Sequence, residues 1–153
     1  MALKNKVEGA ALSAAGVLLV YGGKVLLIYR GAAVVDPYVW CGAGGKVEPG
    51  ETPEEAALRE AQEEIGFGTE MEYKVDLKDL YVYRSDKLVF HNFLGVIDKP
   101  FQPKLNWESD GYVWCEWGKW PTEIHYGFKA ILEDMRAEPM LRNAMDGSKP
   151  KGK

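Results

Sequence analysis

Cysteine is scarce in these 153 residues. Cys41 and Cys115 are the only two, and neither belongs to a Cys-x-x-Cys or paired Cys/His spacing. That argues against a zinc site and leaves two reduced, partly buried thiols in a cytoplasmic chain as the expectation. Net positive charge is missing too: the formal charge is −4 and the pI about 5.3. A field of that sign does not favour a nucleic-acid polymer, although a bound cation can still invert it locally for a small anion. No apolar stretch reaches the ~20 residues that cross a bilayer, so no membrane span is expected. Lys4 and Lys6 ahead of Ala10–Tyr21 have a faint signal-peptide look. Glu8 and Gly9 interrupt that junction, and the run continues through Gly22-Gly23 into Val25–Tyr29, which reads better as strand, turn, strand. Internal repeats and interdomain linkers are also absent.

What is present suits one domain. Hydrophobic residues make up 46%, enough to build a core. Ala10–Val20 and Val25–Tyr29 form the expected hairpin around Tyr21–Lys24. Gly31–Pro37 reads as a loop, Tyr38–Cys41 as a short strand, and Gly42–Gly45 as a loop whose glycines let backbone approach a ligand. Strands are predicted near Lys74–Arg84, Lys87–Ile97 and Gly111–Trp117. Ile124, Phe128, Ile131, Leu132 and Met135 fit an amphipathic helix. The domain is assigned to residues 1–145. Residues 146–153 are polar, basic and rich in Gly, Ser and Pro, so they read as a disordered tail whose removal should be thermally silent.

The clearest helix begins after Thr52. Thr52 is a good N-cap, Pro53 takes the first helical position and Glu55 falls at N3, completing a capping box. Gly66 is a natural stop, and Leu58, Ala61 and Ile65 share one apolar face. Glu60, Glu63 and Glu64 are spaced i, i+3, i+4 and point the same way. Like charges so placed destabilise a helix by ~0.2–0.5 kcal/mol per pair. Arg59 can reach Glu63 at i+4, but one cation does not neutralise three carboxylates. A divalent cation would, and carboxylate oxygens suit Mg²⁺ and Mn²⁺. Alone, such a triplet reads first as a solvated face, because charge runs are usually surface. Glu51 and the glycine-rich loop just upstream weigh toward a site.

The residues Gly45, then Glu51, then Arg59-Glu60-Ala61-Gln62-Glu63-Glu64-Ile65-Gly66-Phe67 stand at the spacing G-x5-E-x7-R-E-U-x-E-E-x-G-U, with U a bulky aliphatic. This resembles the Nudix box over 23 residues. Every charged and glycine position agrees. Ala61 is smaller than the usual aliphatic and Phe67 is aromatic. The order of elements over about Ala10–Ala137 is similar to the same family. The resemblance implies an α/β fold, a Nudix-type α/β/α sandwich with a mixed central sheet. It implies a pyrophosphohydrolase with Mg²⁺ as cofactor, or Mn²⁺ in its place. Glu60 and Glu64 would be metal ligands, Glu63 bridging or assisting, and the Gly44 carbonyl a further ligand. Arg59 would orient Glu51 and the helix cluster. Members often add a downstream loop carboxylate as ligand or base. Glu108 is the candidate here, with Asp110 and Glu116 as competitors.

Substrate identity is less legible. Arg30, Lys46 and Trp107 are the substrate-side candidates. Trp107, Trp114, Trp117 and Trp120 crowd one region, where one could stack on a base, though such aromatics are commonly core. Tyr81 and Tyr83 resemble weakly a dinucleoside polyphosphate signature, and strand alternation explains them equally. Hydrolysis of a (deoxy)nucleoside triphosphate ranks first, on the likeness of Gly44–Glu48 to MutT-type loops. Dinucleoside polyphosphate, ADP-ribose or nucleotide-sugar hydrolysis are the alternatives. A prenyl diphosphate isomerase using Cys41, or a non-catalytic nucleotide-binding module, is more remote. The expected partner is a small nucleotide, with the protein a monomer or homodimer. His91 and His125 read as structural or surface residues.

Overall fold

The computed structural model describes residues 11–150. Of the expected first strand, Ala10 lies outside the described residues. Leu12–Tyr21 (β1) turns tightly at Gly22 and Gly23, both with positive φ, into Lys24–Arg30 (β2). Trp40–Cys41 (β3) and Ala43–Lys46 (β4) follow, then the helix Pro53–Ile65 (α1). The long strands Val75–Arg84 (β5) and Leu88–Ile97 (β6) precede Ser109–Glu116 (β7). Two helices, Tyr126–Glu133 (α2) and Ala137–Gly147 (α3), close the chain.

The sheet runs β3-β2-β1-β6-β5, with β4 paired to β1 and β7 to β2. The β1–β6 pair is parallel and the others antiparallel, so the sheet is mixed. Alternation along β1 divides its side chains between two apolar layers. Ala15, Val17 and Leu19 pack with Ala57, Ala61 and Ile65 of α1. Leu18 and Val20 pack with Phe128 and Ile131 of α2 and with Leu141 and Met145 of α3. The sheet is thus covered by helices on both faces, the expected sandwich.

Three local expectations need correction. Of the expected loop Gly42–Gly45 only Gly42 lies outside a strand, because Ala43–Lys46 pairs with Ala14–Val17 of β1. The glycines permit that pairing at close range: a Cβ on Gly44 would lie 2.6 Å from the Ala15 carbonyl oxygen. The amphipathic segment ending at Met135 is shorter than expected. α2 stops at Glu133, and Met135 is 94% exposed in the elbow before α3. Finally, α3 runs through Asp146 to Gly147, beyond the expected boundary of order. The Ser148 hydroxyl accepts from Gly23 N–H at 2.8 Å and donates to the Met145 carbonyl at 2.9 Å, tying this end to the β1–β2 turn. The remaining tail positions, 151–153, lie outside the described residues. Among the described residues no helix is long and apolar enough to cross a membrane.

Candidate active site

The site is built on α1, whose ends are fixed by its own sequence. Thr52 Oγ1 accepts from Glu55 N–H, and a Glu55 carboxylate oxygen accepts from Thr52 N–H, so the capping box forms. Gly66 adopts φ 76° and ends the helix. Its last carbonyls are taken up by the segment ahead of β7. Lys104 N–H donates to Ile65 O at 2.8 Å, and Asn106 N–H to Glu64 O at 2.9 Å. This docking brings Glu108 to the helix. Asn106 then holds Glu108 from both sides, its Oδ1 accepting from Glu108 N–H at 2.9 Å and its Nδ2 donating to Glu108 Oε1 at 3.2 Å.

Glu60, Glu64 and Glu108 each present a carboxylate oxygen, all within 4.8 Å of one another. Glu64 is buried and accepts from Gly44 N–H at 3.0 Å. Burial, and then the charge of Glu108, push its carboxyl up to about 8, against the Gly44 hydrogen bond that favours the charged form. Burial likewise raises Glu60, although Arg59 pulls it down. Three converging carboxylates, one of them buried with no ion-pair partner among the described residues, form a donor set that fits a hard divalent cation.

Arg59 organises the rim. Its Nε donates to Glu51 at 2.6 Å, Nη1 to Glu60 and Glu63 at 3.1 Å each, and Nη2 to the Lys46 carbonyl at 2.9 Å. These bonds hold the Glu51 carboxyl below the usual range. Glu63, 55% exposed at its side chain, stands outside the trio and faces solvent. The Lys46 side chain is exposed. Trp107 is 71% exposed on the turn that carries Glu108. Trp114, Trp117 and Trp120 instead pack against the two apolar layers. Asp110 lies against Gly31, and Glu116 pairs with Lys119, so neither competitor joins the trio.

A cleft adjoins the trio on the α2 side of the sheet. Gly16, Arg30, Cys41, Gly44, Tyr83, Phe90, Asn92 and Tyr126 are among its walls. Its Arg30 guanidinium is committed to the loop above it, donating to the Val35 and Asp36 carbonyls. Enclosure of the Cys41 thiol pushes it up to about 11, so it is not a thiolate near neutrality. His125 is structural, as expected, but with a defined task. Its Nδ1 accepts from Gly127 N–H at 2.9 Å to cap α2, which leaves Nε2–H to meet Asp36 Oδ2 at 3.0 Å. Sequence reasoning missed Phe90, Asn92 and Tyr126. Phe90 and Asn92 stand two apart on β6 and Tyr126 comes from α2, so only the packing of that helix on the sheet brings the three together.

Residues 11–134 match the family model of the NUDIX domain. The chain is 30% identical, over 74% of its length and 71% of the relative's, to a Bacillus subtilis (strain 168) protein named "Putative 8-oxo-dGTP diphosphatase". It is 36% identical to an "Oxidized purine nucleoside triphosphate hydrolase" of Danio rerio, over 46% of this chain and 51% of that one. The crystal structure of a MutT NUDIX hydrolase from Burkholderia pseudomallei superposes with a TM-score of 0.65 at 21% identity, covering 82% of this chain and 98% of the other. With a matched domain over most of its length and an intact box on α1, the chain belongs to the Nudix family of hydrolases.

Proposed function

We propose that this Nudix hydrolase converts a (deoxy)nucleoside triphosphate to the monophosphate and pyrophosphate, with Mg²⁺, or Mn²⁺ in its place, held by Glu60, Glu64 and Glu108. The observation that carries the reading is the position of Gly44. Its N–H bonds the buried carboxylate of the trio while the same residue lines the aromatic cleft. A nucleotide lying along β4 then sets its phosphates over the carboxylates and its base among Tyr83, Phe90 and Tyr126. The names of the Bacillus and Danio relatives, both referring to oxidised purine nucleotides, support a nucleoside triphosphate substrate.

The chain's own residues divide the work. Asn106 and Gly44 fix Glu108 and Glu64, and Arg59 fixes Glu60 and Glu51. The Gly44 carbonyl would be a further oxygen donor to the cation. A bound divalent cation lowers the pKa of water and offsets charge on the phosphoanhydride. A carboxylate of the cluster, Glu63 or Glu108, accepts the proton of the attacking water. Lys46 is the cation proposed for the phosphates; Arg30, bonded to the Val35 and Asp36 carbonyls, could serve them only after leaving that loop, and Trp107 stands exposed on the Glu108 turn.

The test is a hydrolysis panel of nucleoside triphosphates, dinucleoside polyphosphates, ADP-ribose and nucleotide sugars, with and without Mg²⁺ or Mn²⁺, products identified by mass. Monophosphate plus pyrophosphate from a triphosphate supports the reading, and Glu64→Gln should abolish it with the fold retained. Preference for a dinucleotide or a sugar nucleotide, or full activity of Glu64→Gln, overturns it.

A further inference from the structure

Strand β5 changes face half-way along. Its pairing with β6 proceeds as Lys78↔Leu94 and Asp79↔Phe93, then jumps to Tyr81↔Asn92 and Tyr83↔Phe90. Leu80 is the extra residue of a β-bulge. Because side chains alternate with period two, one inserted residue reverses the faces of everything after it. Val75 and Leu77 accordingly pack on the α1 layer, whereas Tyr81 packs on the α2–α3 layer and Tyr83 lines the cleft. Uninterrupted alternation would place all four on the α1 side and turn Val82 toward the cleft.

The bulge is held from outside the strand pair. Leu80 is fully buried against the α2–α3 layer. Its carbonyl, displaced from the regular ladder, accepts from Arg136 Nη2 at 2.6 Å. Arg136 sits at the N-terminus of α3, where Asp134 Oδ2 accepts from both Arg136 N–H and Ala137 N–H and fixes the elbow. On the other side, Asn92 Nδ2 donates to the Tyr81 carbonyl at 3.2 Å. Beyond this lock, Tyr83 meets Tyr126 with ring centroids 5.5 Å apart, and the pair forms an aromatic wall of the cleft.

We infer that Arg136, remote from the carboxylate trio, is a positioning residue for nucleotide binding: by holding the Leu80 bulge it sets Tyr83 into the cleft, where that ring stacks on the nucleobase. This rests on the cleft's being the base site of the proposed reaction. The test is steady-state kinetics on the best triphosphate with Arg136→Met, Arg136→Lys, Tyr83→Ala and the double variant Tyr83→Ala/Arg136→Met. Loss of one stacked base predicts a rise in KM of at least about fivefold, and up to about 150-fold, for Tyr83→Ala and for Arg136→Met, with kcat within about twofold. Arg136→Lys, which keeps a donor, should recover most of the loss. The double variant should be no worse than Tyr83→Ala alone, because both act through one ring. If Tyr83→Ala leaves KM unchanged, the base-site reading fails. If Tyr83→Ala raises KM while Arg136→Met does not, lowers kcat instead, or adds fully to Tyr83→Ala, the positioning role fails. Should Arg136→Met not fold, Arg136→Lys with KM at the Arg136→Met level predicted here, or a double variant Tyr83→Ala/Arg136→Lys showing additive loss, refutes it equally.

Discussion

Gly44 and Gly45 are neighbours in β4, yet alanine should fail at them for different reasons. A Cβ on Gly45 would lie 2.4 Å from the Glu60 carboxyl carbon and 2.5 and 2.6 Å from its oxygens. The obstruction is the tip of a side chain, so the backbone can stay and Glu60 must swing away. Leaving its rotamer costs about 0.5–1.5 kcal/mol, which in a chain of this size lowers the unfolding midpoint by roughly 2–6 °C. The functional loss should be larger, because Glu60 leaves both Arg59 and the trio. Disturbing the groups that orient metal ligands typically reduces metal affinity or activity ~10–100-fold. At Gly44 a Cβ would meet the Ala15 carbonyl oxygen at 2.6 Å and Gly16 Cα at 2.7 Å, both backbone of β1. Nothing flexible can yield there, so Gly44→Ala should force the two strands apart, at the upper end of the ~1–3 kcal/mol of overpacking or beyond it. The measurements are initial rates against Mg²⁺ concentration and thermal unfolding by circular dichroism, on both variants. Gly45→Ala should need more Mg²⁺ for half-maximal rate with a modest loss of midpoint; Gly44→Ala should lose more stability. A Gly45→Ala enzyme with an unaltered Mg²⁺ response, or one destabilised as much as Gly44→Ala, would refute this account of Glu60.

His125 should make stability pH-dependent just below neutrality. Burial, the larger influence, holds its pKa below the ordinary 6.5, against the pull of Asp36, with Arg30 adding to the depression. The unfolded chain then binds the proton more readily, so the stabilisation is full above 6.5 and is lost as pH falls through the lower folded value. Urea unfolding should show a decline as pH falls below 6.5, and His125→Asn, which keeps a capping oxygen, should flatten it; an unchanged slope rules His125 out. Deleting Asp146–Lys153 should lower the midpoint by about 2–4 °C, from loss of the Ser148–Gly23 hydrogen bond and the last turn of α3. A midpoint unmoved by the deletion would show that this end contributes nothing. Cys41→Ser should retain hydrolysis, since the enclosed thiol is not ionised near neutrality; abolished turnover would favour a catalytic cysteine.

The parts of the site that could be read from sequence are those whose partners lie within a few helical turns. The cap at Thr52, the stop at Gly66, the stripe of Ala61 and Ile65, and the pairing of Arg59 with Glu51 and Glu63 all fall inside 23 consecutive residues, and all form. Glu108 was reachable only as a candidate, because its place depends on Asn106 finding the Glu64 carbonyl at the end of α1. The glycines of β4 have the composition of a loop; their strand is imposed by β1, whose backbone no side chain larger than hydrogen could approach. Pro139 does not break α3, because it sits in the first turn, where its missing N–H has no intrahelical carbonyl to bond. The buried Ala137, Leu141 and Met145 at i, i+4, i+8 were the available signal of α3.

The bulge at Leu80 shows why the remainder resists a reading by pattern. Counting along β5 assigns Val75, Leu77, Tyr81 and Tyr83 to one face, and every step of that count obeys the strand period. The register with β6 breaks it by one residue, and what allows the break is an arginine 56 positions later. The three converging carboxylates thus depend mainly on one helix and one docked turn. The cleft draws on all of β1 to β6 and on α2, and the course of β5 along it is tied to α3 as well. A short motif can preserve the first of these while the second drifts, because no local constraint couples Arg136 or Asn92 to the residues of the box. With the base in the cleft, as proposed, the α3–β5 contact rather than α1 is where substitution should retune binding.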